Sequence, residues 1–131
     1  QLTSLPDGQW RLTVRIQNNS YGGMDFSALD GQLQIAALVP IRLHATFKRD
    51  IPTLTGNVIE LDVLPTSTMS AALAAIANQG SAGSLAYRIS GSVIATPERE
   101  NKPAQDARPQ TFDFHGNDWL SPVPGIAHTY R

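Results

Sequence analysis

The chain has 131 residues, of which 41% are hydrophobic and 16% are charged, and its formal net charge is −1. A chain of this length is typical of a single domain, here residues 1–131, and the composition excludes an intrinsically disordered protein. The balanced charge excludes a strongly basic protein of the kind that binds nucleic acid, and no apolar stretch approaches the roughly 20 residues that span a bilayer.

The first element in chain order is a strand over residues 9–17, in which apolar and polar residues alternate. Since successive side chains of a strand point to opposite faces, this pattern indicates a strand with one buried face. The apolar set is Trp10, Leu12, Val14 and Ile16. The polar turn formers of residues 18–23 end the strand.

A second strand is predicted over residues 24–37. Within it the apolar residues change from even positions, Met24 and Phe26, to odd positions such as Ile35. A change of this kind requires one inserted residue, so we expect a bulge or a short turn at Asp30-Gly31.

Two further strands are predicted over residues 41–48 and 57–64. The intervening residues 51–56 contain Pro52 and Gly56 and are predicted to form a linker. In the second of these strands every other residue is apolar, which again indicates one buried face.

Residues 66–79 form the helix that the sequence predicts. Thr66 or Ser67 can cap its first turn, and Gly80 stands where a left-handed residue commonly ends a helix. The apolar stripe of the helix consists of Met69, Ala72, Leu73 and Ile76.

The remaining residues are predicted to form a pair of strands and a tail. Residues 85–95 alternate, and the glycine within them, Gly91, indicates a bulge or a close approach of another part of the backbone. The charged and proline-rich residues 96–109 indicate a solvated hairpin loop. Residues 110–116 return as a strand with Phe112 and Phe114 inward, and residues 117–131 are expected to lie along the surface.

Several short strands with a single helix and no parallel crossover pattern indicate a mainly β protein, an antiparallel β-sandwich with one short helix. The expected core comprises Trp10, Leu12, Val14, Ile16, Tyr87, Ile89, Phe112 and Phe114.

No catalytic, cofactor-binding or metal-binding residue is predicted. The chain has no cysteine, which excludes disulfides and thiolate chemistry within these residues. His115 with Asp113 and Asp118 is the one combination that could indicate a metal site, but no supporting ligand spacing accompanies it. His44 is expected on the polar face of its strand.

Two tryptophans and one three-residue motif each allow two interpretations. Trp10 and Trp119 could form a stacking platform, but Trp10 belongs to an apolar stripe, and Trp119 is expected to pin the tail. Asn18-Asn19-Ser20 satisfies the glycosylation rule, although so short a motif is common by chance.

The chain resembles the group-2 late embryogenesis abundant family, also called the water stress and hypersensitive response (WHy) domain. The matching segments, within residues 9–116, are the first strand running into Asn18-Asn19-Ser20, the strand pair around Gly31, Ile51-Pro52, Tyr87-Arg-Ile-Ser-Gly91 and Phe112-Asp-Phe-His-Gly116. The sequence has Asn19 where the family usually has a proline.

This resemblance implies a fibronectin-type-III-like sandwich and a non-enzymatic protein of desiccation and stress tolerance. Bacterial relatives are often exported, some as lipoproteins, so it implies a periplasmic or envelope-anchored protein whose anchoring cysteine would lie upstream of Gln1. Because the sequence begins with Gln1 and not Met, we expect the natural N-terminus to be missing or processed.

Two classes of function remain open besides an enzyme. The first is the stress-protective domain that the resemblance implies, which needs no cofactor. The alternative is a binding module for another envelope protein, or for an apolar ligand between the sheets. No nucleic-acid partner and no transmembrane segment are expected.

Overall fold

The structure, a computed structural model, describes residues 1–19, 22–52, 54–97 and 108–131. Within them the chain forms eight strands, one α-helix and a short 3-10 helix, Gly80–Ala82. The strands are β1 Leu2–Ser4, β2 Trp10–Gln17, β3 Met24–Ile35, β4 Ile41–Ile51, β5 Gly56–Val63, β6 Leu85–Pro97, β7 Gln110–Leu120 and β8 Thr129–Tyr130, and the helix α1 is Ser67–Ala77.

The strands form two four-stranded sheets whose paired strands are all antiparallel. The first sheet has the order β5-β2-β1-β8 and the second has the order β4-β3-β6-β7. The protein is therefore an antiparallel β-sandwich, and its order β5-β2-β1 against β4-β3-β6-β7 is fibronectin-type-III-like, with β8 added beside β1.

The core lies between the inner faces of the two sheets. Trp10, Leu12 and Ile16 of β2 are buried there, as the alternation in the sequence predicts. Val14, Tyr87 and Ile89 pack against this core but are only partly buried. The largest fully buried side chains are Leu2, Leu29, Ile35, Leu43, Ile51 and Met69.

The helix α1 joins the two sheets, because it follows β5 and precedes β6. Thr66 caps its first turn by accepting a hydrogen bond from the Met69 amide at 3.2 Å. The predicted stripe is confirmed, since Met69, Leu73 and Ile76 are buried. Gly80 is left-handed, with φ +59°, but the helix ends earlier, at Ala77, and Asn78 is its C-cap.

The predicted bulge at Asp30-Gly31 is wrong in position. The pairing of β3 shifts between Phe26 and Ala28 on both of its sides, so the irregularity lies at Ser27. The reason is Leu29, which is 1% exposed and therefore resumes the inward face directly after the irregularity.

Gly31 and Gly91 instead lie opposite each other on β3 and β6. A Cβ atom at Gly31 would lie 2.2 Å from the Ser90 carbonyl oxygen and 2.9 Å from the Gly91 Cα atom. The close approach that the sequence indicates at Gly91 is therefore real, and the other backbone belongs to the neighbouring strand.

Two predicted boundaries are corrected by pairing over long sequence distances. β4 continues to Ile51, which pairs with Met24 and is fully buried, so the predicted linker over 51–56 begins inside a strand. β7 continues to Leu120, which pairs with Leu85. The predicted loop over 96–109 lies largely outside the described residues.

The predicted surface tail is also wrong. Thr129 and Tyr130 form β8, pair with β1 and are 6% and 5% exposed. Backbone hydrogen bonds in both directions join Ser121 to Arg131, at 2.9 and 3.0 Å. The end of the described chain is therefore part of the first sheet.

Candidate functional site

Within the described residues, one side of the sandwich is open beside the second half of β2. β1 pairs only with Trp10–Leu12 of β2, and the last contact along this edge joins the Thr13 amide to the Gln1 carbonyl oxygen at 2.8 Å. Among the described residues, no strand lies beside Val14–Gln17 on this side of β2. No strand of the described ranges therefore covers the inner face of the second sheet at this point.

The uncovered region is an apolar groove of about 520 Å³ between the two sheets. Apolar side chains of β2, β3, β6 and β7 line it: Val14, Ile16, Met24, Phe26, Leu29, Ile89, Val93, Phe112 and Phe114. We call it the inter-sheet groove. A second hollow of about 220 Å³ continues it beneath Gln1 and Leu2.

Phe112 shows most clearly that this groove is open. It lines the groove, yet 42% of it is exposed, so the prediction that Phe112 belongs to the buried core is wrong. Phe114, also on β7, is partly buried against the core. Phe112 is exposed at an inward position because the first sheet, as far as the structure describes it, has no strand opposite it.

Asn18 fixes the end of the groove where β2 stops. The residue is 3% exposed, and its Nδ2 atom donates to the carbonyl oxygens of Gly22, Ile51 and Pro52 at 3.0, 2.8 and 3.3 Å. Because this nitrogen is buried and hydrogen-bonded, Asn18 serves as a structural amide and is inaccessible as a glycan attachment point.

Arg15 lies on the outer face of β2 beside the groove. Its cross-strand neighbour on β5 is Val58, whereas Arg11 on the same face donates to Asp62 at 2.9 and 3.2 Å. Among the described residues Arg15 forms no ion pair; its Nη2 atom donates to the Gln17 side-chain oxygen at 3.4 Å, and its guanidinium lies beside Gly56. The rim of the groove thus carries a cation without an ion-pair partner in the described part of the chain.

The histidine and aspartate candidates do not assemble into a site. Asp113, His115 and Asp118 are exposed along β7, and the described residues contain no group of three or more side chains that could hold a metal ion. His44 is exposed on β4, as predicted, with its Nδ1 atom 3.9 Å from Asp30. A hydrogen bond from Arg42 lowers the pKa of Asp30.

The two tryptophans have separate roles. Trp10 is 2% exposed and belongs to the core, as predicted. Trp119 is 61% exposed, so the prediction that it pins the tail is wrong. It lies on the extension of β7 and borders a shallow hollow together with Gln34 and Arg88. The two indoles therefore do not form one platform.

Sequence reasoning missed one pair of carboxylates. Asp25 and Asp50 lie opposite each other on β3 and β4. The pKa of Asp50 is raised, first by a hydrogen bond with the Asp25 carboxyl group and then by the negative charge of that group. Only the register of the two strands brings these carboxylates together, so no local sequence motif indicates the pair.

The comparisons with known proteins concern the fold. The chain matches no family model and no curated protein sequence. The crystal structure of a protein from Archaeoglobus fulgidus is similar to it with a TM-score of 0.51 and 9% sequence identity, over 94% of this chain and 93% of that one. At this identity the likeness shows a shared sandwich architecture. In the described part of the chain, no helix has the length and apolarity that crossing a membrane requires.

Proposed function

We propose that this chain is a non-enzymatic protective domain of the late embryogenesis abundant type 2 (WHy) class, which acts in water stress. The observation that carries the proposal is the way in which the segments that resemble this family contact one another. The Asn18 side chain donates to Ile51 and Pro52, and thereby joins two of these segments. Gly91 pairs with Gly31 on one side and with Phe114 on the other, and thereby joins three more.

These contacts support the resemblance because they give a physical reason for the residues that stand at the matching positions. The fold requires the buried Asn18 amide, and it requires glycine at positions 31 and 91, where a Cβ atom would clash with the neighbouring strand. Substitutions on the protein surface would leave both requirements unchanged. A protective role requires a stable fold and a surface that keeps other proteins apart, and it requires no catalytic residue.

The test is to dry and rehydrate a labile enzyme with and without this chain. An equal mass of an unrelated fibronectin-type-III domain is the control. We expect more recovered enzyme activity with this chain than with the control at every mass ratio. Recovery equal to that of the control would contradict the protective role.

The same resemblance supports a place of action outside the cytoplasm, in the periplasm or anchored to a bacterial envelope. Fractionation of cells that express the natural gene, with marker proteins for each compartment, tests this part of the proposal. We expect the protein in the periplasmic or membrane fraction, and a protein confined to the cytosolic fraction would contradict it.

A second candidate function, favoured by the inter-sheet groove, is a binding module for an apolar group. The groove is apolar and of the size that ligand sites commonly have. A fluorescent apolar dye should bind with saturation, and Phe112→Ser should weaken this binding. Ile94→Ser is the matched control, since Ile94 is 37% exposed but lies outside the groove. Equal binding by both variants would contradict the second candidate.

A further inference from the structure

We propose that the hollow beside Trp119 binds one pyranose ring of a neutral saccharide. We call this hollow, which lies on the outer face of the second sheet, the outer hollow. It is separate from the inter-sheet groove, which lies on the inner face of the same sheet. The inference goes beyond the proposed function, which assigns no role to the outer hollow.

Trp119 supplies an apolar surface at one end of β7. Its neighbour Leu120 is 6% exposed and points inward, so the alternation of side chains along the strand turns Trp119 outward, where it is 61% exposed. An indole combines a large apolar face with an N–H donor, and exposed side chains of this kind commonly belong to binding surfaces.

Small residues form the floor of the hollow next to this indole. Ala86 on β6 pairs with Trp119, and on its other side its carbonyl oxygen accepts from the Ala36 amide at 2.8 Å. A row of two alanines thus runs across the sheet from the indole and leaves space above it. The hollow has a volume of about 580 Å³, which is within the range of small-molecule sites.

The next row on the outer face supplies polar groups. Arg88 on β6 pairs with Gln34 on one side and with Asn117 on the other, and all three side chains line the hollow. Two such rows on one face of a sheet are about 7 Å apart. The polar groups therefore stand alongside the alanine floor, where they can contact the hydroxyl groups of a ring that lies on it.

These side chains offer both donors and acceptors to a ligand. The Gln34 Nε2 atom donates to the Leu38 carbonyl oxygen at 3.1 Å, so its amide oxygen is left to accept from a ligand. Within the described ranges, the side chains of Arg88 and Asn117 form no hydrogen bond or ion pair. Since a hydroxyl group donates and accepts, sugar hydroxyls can bond to amide oxygens and to the guanidinium at the same time.

The charges around the hollow favour a neutral ligand over an anion. Arg88 is positive, but Asp118 also lines the hollow, and its carboxylate accepts from the Trp119 backbone amide at 2.8 Å. This carboxylate and the Gln34 amide oxygen would repel a phosphate group. The C–H groups on one face of a pyranose ring carry slight positive charge, and they pack well on the negative face of an indole.

Titration of the isotope-labelled chain with neutral oligosaccharides tests this assignment. The probes are cellotetraose, maltotetraose, mannotetraose and chitotetraose, each added up to about 10 mM, because we expect a dissociation constant of about 1 mM. At least one probe should shift the NMR signals of the Trp119 indole N–H and of the Arg88 and Asn117 side chains, with saturation. The signals of Phe112 and Phe114 in the inter-sheet groove should not change.

Variants of the floor and of the indole test whether the hollow itself binds. Trp119→Ala should weaken binding of the active probe by about tenfold or more, and Trp119→Phe, which keeps an aromatic face, should weaken it less. Ala86→Leu should fill the hollow and weaken binding by about tenfold although Trp119 remains. Ile94→Ala is the matched control, since Ile94 is 37% exposed and lies outside the hollow.

A second pair of variants tests the polar row. Arg88→Met keeps most of the apolar stem but removes the donors, and it should weaken binding by about threefold to tenfold. Arg42→Met changes an exposed arginine outside the hollow and should leave the affinity unchanged. Thermal unfolding of each variant verifies that it is folded before its affinity is compared.

Three results would overturn the assignment. If none of the four oligosaccharides shifted the Trp119 indole signal, the outer hollow would not be a saccharide site. Tighter binding of a thymidine oligonucleotide than of every oligosaccharide at these residues would identify single-stranded nucleic acid as the ligand. Oligosaccharide binding that shifts Phe112 and is unchanged in Trp119→Ala would place the sugar in the inter-sheet groove.

Discussion

Asn18 stabilises the fold more than its place in a polar turn indicates. One buried side-chain nitrogen donates to three carbonyl oxygens, and two of them belong to Ile51, the last residue of β4, and to Pro52, which follows it. Removing a partner from buried polar groups costs more than a typical hydrogen bond contributes, because the remaining groups stay desolvated. Asn18 therefore links the end of β2 in one sheet to the end of β4 in the other.

We expect Asn18→Ala to lower the free energy of unfolding by about 1–3 kcal/mol. Denaturant unfolding followed by tryptophan fluorescence measures this change. The neighbouring Asn19→Ala is the matched control, because Asn19 is exposed and should change stability little. Equal effects of the two substitutions would contradict the role assigned to the buried amide.

Asp50 and the ion-paired carboxylates should have opposite effects on the way in which the stability of the fold depends on pH. Its raised pKa means that the folded state holds the proton more tightly than the unfolded state, so stability falls as pH rises from below 3.8 through that raised pKa. Asp50→Asn should therefore raise the melting temperature at pH 7, and the gain should disappear below the ordinary value of 3.8.

Asp62 provides the comparison of opposite sign. The hydrogen bond from Arg11 lowers the pKa of Asp62. The contribution of Asp62 to the free energy of unfolding is therefore present above pH 3.8 and is lost as the pH falls through the lowered pKa. Asp62→Asn should lower the melting temperature at pH 7 and have less effect in acid. If Asp50→Asn lowered the melting temperature at pH 7, the account of the Asp25–Asp50 pair would be wrong.

Individual residues were predictable where period-two alternation decided their face. Trp10, Leu12 and Ile16 are buried as expected because each follows the pattern of its own strand. Phe112 follows the same pattern and yet is exposed, because its burial depends on a strand of the opposite sheet. A local pattern gives the face of a side chain, but it does not tell whether anything covers that face.

At the scale of elements, β8 shows what a two-residue strand contributes. Tyr130 is 5% exposed, pairs with Leu2 and forms an isolated bridge with Pro122. Two residues have no periodicity to detect, and the two prolines before them favour a loop. The sequence therefore predicted a tail where the structure has an edge strand of the first sheet.

Tyr130→Ala should lower the free energy of unfolding by about 3 kcal/mol, since it removes a large buried side chain from the sandwich. Thermal or denaturant unfolding measures the loss. Ile126→Ala in the same segment is the control, because Ile126 is 58% exposed and should have little effect. A loss below about 0.5 kcal/mol for Tyr130→Ala would show that the segment is a surface tail after all.

The longer elements were predictable in kind but not in their limits. The helix, its cap and its apolar stripe were recognised because all three signals lie within a few turns of sequence. The extensions of β4 to Ile51 and of β7 to Leu120 were missed because partners far along the chain, Met24 and Leu85, hold them. Charged residues and turn formers precede Ile51 and Leu120 in the sequence, and their presence indicated earlier ends for both strands.

At the scale of the whole molecule, the antiparallel sandwich followed from strand number, alternation and the lack of parallel crossovers. An inter-sheet cavity could be named as an alternative binding site, but its place could not be predicted. That place depends on the register that pairs β1 with Trp10–Leu12 of β2, and on residues of β7 that line the groove from the second sheet. Both are properties of the assembled sheets.

The central claim is that, among the described residues, no strand covers Val14–Gln17 of β2 and an apolar groove opens there, and residue-resolved amide hydrogen exchange of residues 1–131 tests it most directly. Val14 and Ile16 should exchange slowly because they bond to β5, whereas Arg15 and Gln17 between and beside them should exchange faster by about tenfold or more. Equal protection of all four amides would show that the edge is covered and would contradict the account.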